Sequence, residues 1–285
     1  MSKTFLLGVG CQRGGTTWLH DYLSTSPQVD FGFTKEYHVW DALHVPRFGW
    51  FRERVEEHCV KILELNPSYE RNPFAFKWLD FYRHTDNYFD YFDYLHYKNE
   101  ATRLVGDITP SYSALPTEVL VEIRESLAAR GFRAKAVFIM RDPVERVWSS
   151  ARLNMMRSED LSDESVVARV EEEYLWPKTK SRGRYNKTLK NLSNAFPKED
   201  RKVLLYEELF SPKVARRITD FLEIDPIEPD FDTKVNASTE TSSLPEELQS
   251  RIAQEYAASY RAAAKRFGED RIRSRWSSAR FVDLS

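Results

Sequence analysis

Ten glycines serve all 285 residues of this chain, and four of them, Gly8, Gly10, Gly14 and Gly15, fall within eight positions near the N-terminus. Glycine reaches left-handed backbone conformations without steric cost, so a glycine-poor chain that gathers them in one place predicts a sharply shaped loop there. Thr4 to Gly10 is a short apolar run ending in glycine and reads as a buried parallel strand. Thr16 to Leu23 has helical spacing, with Trp18, Leu19, Tyr22 and Leu23 on one face, and Pro27 closes it. A glycine loop between a strand and a helix can cradle an anion. The N–H groups of Gly14 to Thr17 can point inward, the helix N-terminus adds partial positive charge, Thr16 and Thr17 add hydroxyls, and Arg13 adds a full charge.

The loop departs from the phosphate-binding pattern GxxxxGK[ST] at one point. Gly10 and Gly15 have the right spacing and Thr17 fills the Ser/Thr slot, but Thr16 stands where the lysine belongs. A loop that works on ATP sets that lysine on the β/γ-phosphates and pairs it with a Mg²⁺-holding aspartate. The loop therefore indicates phosphate or sulfate without specifying a reaction.

Strands and helices alternate along the rest of the chain. Strands are expected at Val29–Phe33, Arg103–Asp107, Ala134–Met140 and Lys202–Tyr206, and helices at 48–65, 116–130, 144–157, 161–175, 184–195, 212–222 and 245–266. This is the pattern of an α/β fold with a mostly parallel central sheet flanked by helices. No internal repeat or flexible linker interrupts it, so residues 1–285 read as one domain with helical insertions. The segment 224–245, with three prolines, reads as a long loop. With 41% hydrophobic and 30% charged residues the chain is neither disordered nor fibrous. A net charge of -2 gives no global basic field for nucleic acid. No run approaches the roughly 18 apolar residues of a membrane span. Two cysteines, Cys11 and Cys59, make no disulfide framework and fit a reducing compartment, and the apolar run Phe5–Gly10 is too short for a signal peptide. A cytoplasmic location is the expectation.

Two more stretches carry chemistry. Arg141 ends the strand Ala134–Met140, a helix begins near Pro143, and Ser149 lies one turn beyond Glu145 and Arg146. Ligands of open α/β sheets gather at the C-terminal ends of strands, so Arg141 belongs to the same sheet edge as the glycine loop. Pairing of Arg141 with Asp142 or Glu145 is the plainer alternative. Lys35-Glu-Tyr-His-Val-Trp-Asp41 concentrates two carboxylates and an imidazole, and Glu36 or His38 could act as a general base. A surface pair, Lys35 with Glu36, is the alternative there.

Together, Arg13-Gly-Gly-Thr-Thr-Trp18 and Arg141-Asp-Pro143 with Ser149 resemble the signatures of the sulfotransferase family, which uses 3′-phosphoadenosine 5′-phosphosulfate (PAPS). The resemblance implies a P-loop-like three-layer fold. It implies that Arg13, Gly14, Gly15, Thr16 and Thr17 bind the 5′-phosphosulfate, that Trp18 packs on the adenine, and that Arg141 and Ser149 bind the 3′-phosphate. The family usually has lysine at the Arg13 position, and arginine would stabilise the leaving oxygen by charge and hydrogen bonding only. Lys35 to Asp41 is similar to the K-E-x-H-F-F-D signature of heparan-sulfate-type carbohydrate sulfotransferases. That similarity makes Glu36 the base, with His38 and Asp41 as supporting residues, Lys35 and Asp41 on the substrate side, and a carbohydrate hydroxyl the acceptor. Asp107-Ile-Thr-Pro-Ser-Tyr112 resembles the group's E-K-T-P-x-Y segment, with Ile108 in place of the lysine and Tyr112 on the substrate side. The family's C-terminal basic-glycine loop has no clear match in Lys234 to Leu244. No metal is required in this scheme.

The eleven aromatic residues between Phe74 and Tyr97 are expected to pack a helical insertion, Glu171 to Glu173 to form a solvated helix face, and the six histidines to bind no structural zinc. Three rivals remain open at this stage. One is an ATP-dependent P-loop phosphotransferase, with Arg103–Asp107 as its Mg²⁺ strand. Another is a sulfotransferase acting on a small-molecule or lipid hydroxyl. The third is a non-catalytic glycan- or nucleotide-binding module.

Overall fold

The computed structural model describes residues 3–65, 73–155, 162–231 and 244–285. Five strands among them, β1 (Thr4–Gly8), β2 (Val29–Asp30), β3 (Leu104–Ile108), β4 (Arg133–Met140) and β5 (Arg201–Leu205), form one parallel sheet in the order β2-β3-β1-β4-β5. The order reverses at β1. The chain leaves β1 toward the β2–β3 side and returns on the other side as β4, so a crevice opens between the C-terminal ends of β1 and β4, where such sheets bind ligands.

Each face of the sheet has its own core because side chains alternate along a strand. Phe5, Leu7, Ala136 and Phe138 point into one apolar cluster, and Leu6, Val137 and Ile139 into the other. The second cluster is roofed by helix α1 (Thr16–Ser24), through Trp18, Leu19 and Leu23, and by the helix Pro212–Leu222. The first is covered by α2 (Val39–His44), α5 (Thr85–Lys98), α6 (Thr117–Ala129) and α7 (Pro143–Met155), between which lie α3 (Trp50–Leu65) and α4 (Pro73–Arg83). Several of the aromatics between Phe74 and Tyr97 pack this insertion, as in the edge-to-face pair of Phe5 with Phe92 at 4.9 Å. No helix among the described residues is long and apolar enough to cross a membrane.

Several elements differ from their expected bounds for local reasons. β2 stops at Asp30, whose carboxylate accepts from the Gly32 N–H at 2.8 Å and turns the chain. The helix expected at 48–65 begins with a 3₁₀ turn at Pro46–Phe48 and becomes α-helical at Trp50. The long helix expected at 245–266 is broken at Tyr256, which donates its hydroxyl to the Tyr174 carbonyl at 3.0 Å. The helix Pro177–Gly183, with proline near its start, stands between the expected helices 161–175 and 184–195. Glu173 is buried rather than solvated, pairing with Arg169 and accepting from Asn154 at 2.9 Å. The loop expected at 224–245 and the segment Lys234 to Leu244 lie largely outside the described residues.

Candidate active site

Beyond Gly8 the backbone stays on β4. Val9 N donates to Val137 O at 2.9 Å, Cys11 N to Ile139 O at 2.8 Å, and Ile139 N to Gly10 O at 2.8 Å. This clamp carries the glycine loop to the end of β4, beside Arg141. Gly10 has φ +112, and a Cβ there would sit 2.6 Å from the Pro110 carbonyl oxygen, so no side chain fits. Gly15, with φ +84, opens α1, whose first intrahelical bond runs from Leu19 N to Gly15 O at 3.0 Å. The N–H groups of Thr16, Thr17 and Trp18 precede that bond and belong to the unpaired first turn of a helix. The Gly14 N–H, expected among the inward donors, instead bonds Cys11 O at 3.0 Å inside the loop.

A cavity of about 250 Å³ lies over this loop, lined by four cations, Arg13, Lys35, Arg141 and Arg182, with Glu36 as its carboxylate. Lys35 comes from the segment after β2, which is fixed by Ile108 N donating to Lys35 O at 3.0 Å and Tyr37 N to Thr109 Oγ1 at 3.0 Å. Its ammonium donates to Thr17 Oγ1 at 3.1 Å and Thr16 Oγ1 at 3.4 Å. A lysine thus reaches the loop from another segment, where the loop's own lysine slot holds threonine. Arg13 has left-handed φ 63 and turns its side chain away from those threonines, donating from Nε to Ser149 Oγ at 2.8 Å. Arg141 donates to Arg13 O at 3.0 Å and lies 4.5 Å over the Tyr206 ring. It pairs with Glu145 at 3.5 Å, whereas Asp142 accepts from Val144 N, Ser278 N and the Tyr260 hydroxyl. Burial, then the neighbouring Arg141, pull the Arg13 guanidinium below its ordinary pKa. Burial, then Arg146, bring Arg182 down to about 10. Cations crowded into a concave low-dielectric site favour a polyanion.

Beside the cations stands a carboxylate–imidazole–carboxylate array. His38 Nε2 meets Glu36 Oε2 at 3.2 Å, and its Nδ1 meets the fully buried Asp41 Oδ2 at 2.8 Å. Ser111 Oγ also donates to Asp41 Oδ2. The His38 backbone is left-handed, φ 52, and its ring stacks on Phe51 at 3.5 Å. Burial raises the Glu36 pKa, but the hydrogen bond from His38 and the Lys35 ammonium, 2.7 Å away, outweigh it and hold the group at about 2. For His38 burial disfavours the charged ring, but the bonds to Asp41 and Glu36 prevail and lift it to about 9. At neutral pH the array is an imidazolium between carboxylates.

A model described as Sulfotransferase family matches residues 6–229, a span containing the loop, the array, β4 and Ser149. The chain belongs to the sulfotransferase family. The family reading extends to structure. The fold is similar to that of a sulfotransferase from Alicyclobacillus acidocaldarius, with 22% identity, 93% of this chain and 97% of that chain covered, and a TM-score of 0.57. That places the three-layer architecture among the P-loop-like folds of sulfotransferases. The sulfotransferase domain of the Synechococcus PCC 7002 olefin synthase is more distant, at 17% identity, coverage of 90% and 94%, and TM-score 0.47. No curated protein matches the chain.

In this family member the cavity collects Arg13, Gly15, Thr16, Thr17 and Trp18 from the loop, Lys35, Glu36 and His38 from the next segment, and Arg141 from β4. Ser149 joins through Arg13, and Asp41 through His38. Tyr112 does not join them. It is buried, donating its hydroxyl to Asp107 at 2.7 Å and accepting from Val39 N at 3.2 Å, so it supports the start of α2 while its neighbour Ser111 lines the cavity. Trp18 is 5% exposed, with Tyr22 stacked at 5.0 Å and Phe231 at 6.2 Å; Phe210, 44% exposed, offers the open ring at that end. Arg182 escaped the sequence reading because it comes from the short helix Pro177–Gly183, which carries no motif. Asp107 is enclosed by Thr109, Tyr112 and Tyr88, all donating to it; burial raises its pKa to about 6 against those bonds.

Proposed function

We propose that this sulfotransferase moves a sulfuryl group from PAPS to an acceptor hydroxyl, with Glu36 taking the hydroxyl proton. The observation that carries the reading is that one cavity is lined both by four cations and by Glu36 and His38 of the Glu36–His38–Asp41 array. PAPS supplies a sulfuryl group on a phosphate leaving group. Lys35, the Thr16 and Thr17 hydroxyls and the first-turn N–H groups would hold its 5′-phosphosulfate, where fixed donors stabilise developing charge. We assign the Arg13 side chain, with Arg141 and Ser149, to the 3′-phosphate, because its guanidinium donates to Ser149. Glu36 is ionised and open to the cavity, so it can accept the proton as the hydroxyl oxygen attacks, while His38 and Lys35 hold the carboxylate in place. No step of this scheme calls on a metal. The reading includes one domain over 1–285 and a cytoplasmic setting, the latter supported by two free cysteines.

The ATP-dependent alternative needs a carboxylate facing the phosphates, and Asp107 is instead spent on two tyrosines and a threonine. For the acceptor, the Lys35–Asp41 motif supports a carbohydrate. A second observation favours a small-molecule hydroxyl: the cavity on the far wall of His38 is walled by Phe51, Trp78 and Tyr82.

Thermal unfolding with 3′,5′-ADP, and with ATP with and without Mg²⁺, tests the donor assignment. Saturation at a hundred times the dissociation constant adds about 2.7 kcal/mol to stability. A clear rise in Tm with 3′,5′-ADP is expected; a rise with ATP·Mg²⁺ and none with 3′,5′-ADP overturns the proposal.

A further inference from the structure

His38 lines two cavities. The second, of about 560 Å³, lies between α3 and α4. Its inner wall is carbon. Phe51 is stacked on the His38 ring at 3.5 Å and on Trp50 at 3.8 Å and so offers its edge, and Val55, Ala75, Trp78 and Tyr82 continue the surface. The polar tips of the two largest walls are already engaged. Trp78 Nε1 donates to Tyr37 O at 2.7 Å and Tyr82 Oη to His38 O at 3.3 Å. Those bonds tether α4 to the catalytic segment and leave ring faces as the surface a ligand meets. Sugar hydroxyls need a dense set of free hydrogen-bond partners, and this wall provides few.

The rim has the opposite character. Phe51, Arg54, Val55, His58 and Lys61 follow the i, i+3, i+4, i+7, i+10 spacing of one helical face, so α3 presents its apolar turn beside His38 and its cations farther out. Arg54 and Lys61 are exposed and carry no ion pair among the described residues, and Glu57 is the rim's carboxylate. At 1.5 Å per residue, the cations stand about 5 to 15 Å along the helix from Phe51.

We propose that this cavity is the acceptor site and that its ligand is a hydroxyl compound with a flat apolar body and an anionic group at the end away from the hydroxyl. This rests on the sulfuryl-transfer reading for the meaning of "acceptor". The hydroxyl reaches Glu36 past His38, the body lies against Phe51, Trp78 and Tyr82, and the anion meets Arg54 and Lys61.

Calorimetric titration tests the site without requiring transfer. The probes are 4-(4-hydroxyphenyl)butanoate, its methyl ester and methyl β-glucoside, each with and without 3′,5′-ADP. The acid is expected to bind about tenfold more tightly than the ester, as two exposed ion pairs allow, with the glucoside weakest. The exposed double variant Arg54→Gln/Lys61→Gln should bring the acid to the affinity of the ester while keeping 3′,5′-ADP binding. Trp78→Ala should weaken both aromatic probes about tenfold. Equal affinity for acid and ester, a glucoside bound more tightly than either, or a double variant that still prefers the acid overturns the proposal. If the acid binds and 3′,5′-ADP does not, the cavity stands and the donor reading falls; the reverse result removes the cavity alone.

Discussion

The two cavities that meet at His38 are made from different parts of the fold. The cationic one sits on strand ends: Arg141 is 5% and Ser149 1% exposed, and β4 beneath them is buried over seven of its eight residues. The apolar one sits between helices of an insertion, where α3 leaves Val60 52% and Leu63 54% exposed. The contrast follows from what each must hold. Several like charges stay close together only if packed backbone and hydrogen bonds keep them from relaxing apart, which a sheet edge does well. An apolar body needs only surface, and helix faces provide that with little dependence on the sheet.

The largest expected effect breaks the chemistry and spares the cationic cavity. Glu36→Gln should lower turnover by about 10²- to 10⁴-fold while 3′,5′-ADP still binds; full turnover would remove Glu36 as base. The next separates sheet from helix by stability. Ile139→Ala, in the second core, should cost about 2–5 kcal/mol in denaturant unfolding. Arg141→Gln should weaken 3′,5′-ADP by about tenfold to a hundredfold in calorimetry, near the worth of one charged hydrogen-bond pair, and an unchanged affinity would unseat the 3′-phosphate assignment.

The pH dependence probes the residue shared by both cavities. His38 is more basic folded than unfolded, so its stabilising contribution is present below about 6.5 and is lost as pH rises through about 9. Glu36 is more acidic folded, so its contribution is present above about 4.5 and is lost as pH falls toward about 2. With the imidazolium holding Glu36, kcat should stay level through neutral pH and fall above about 9. A kcat that climbs through pH 9 would make the neutral ring the reacting form. The smallest effect closes the comparison: Leu63→Ala on exposed α3 should change stability by no more than about 0.5 kcal/mol.

Much of the frame was legible in the chain because its signals are local. The apolar run Ala134–Met140 became β4, Gly10 and Gly15 sit where positive φ is needed, and the proximity of Arg141 to the loop followed from strand polarity. Misreadings came where a long-range partner decided the outcome. Tyr112 turned inward because Asp107 and the start of α2 both needed its hydroxyl. Gly14 spent its N–H within the loop. Arg182 and the rim of the second cavity arrive from helices, and Phe210 from the end of one, whose spacing says nothing of what they face.

By itself the sequence determined that a glycine loop would join a buried strand to a helix and turn a polar helix end toward the sheet edge, because backbone sterics and helix-end polarity act over a few residues. Only the tertiary structure decided which cation serves the loop. Lys35 reaches Thr16 and Thr17 while Arg13 turns to Ser149, because β3 holds the Lys35 segment over the loop and α7, which follows β4, carries Ser149 to Arg13. Position in space, set by packing across distant strands, assigns a charge that position in sequence leaves open.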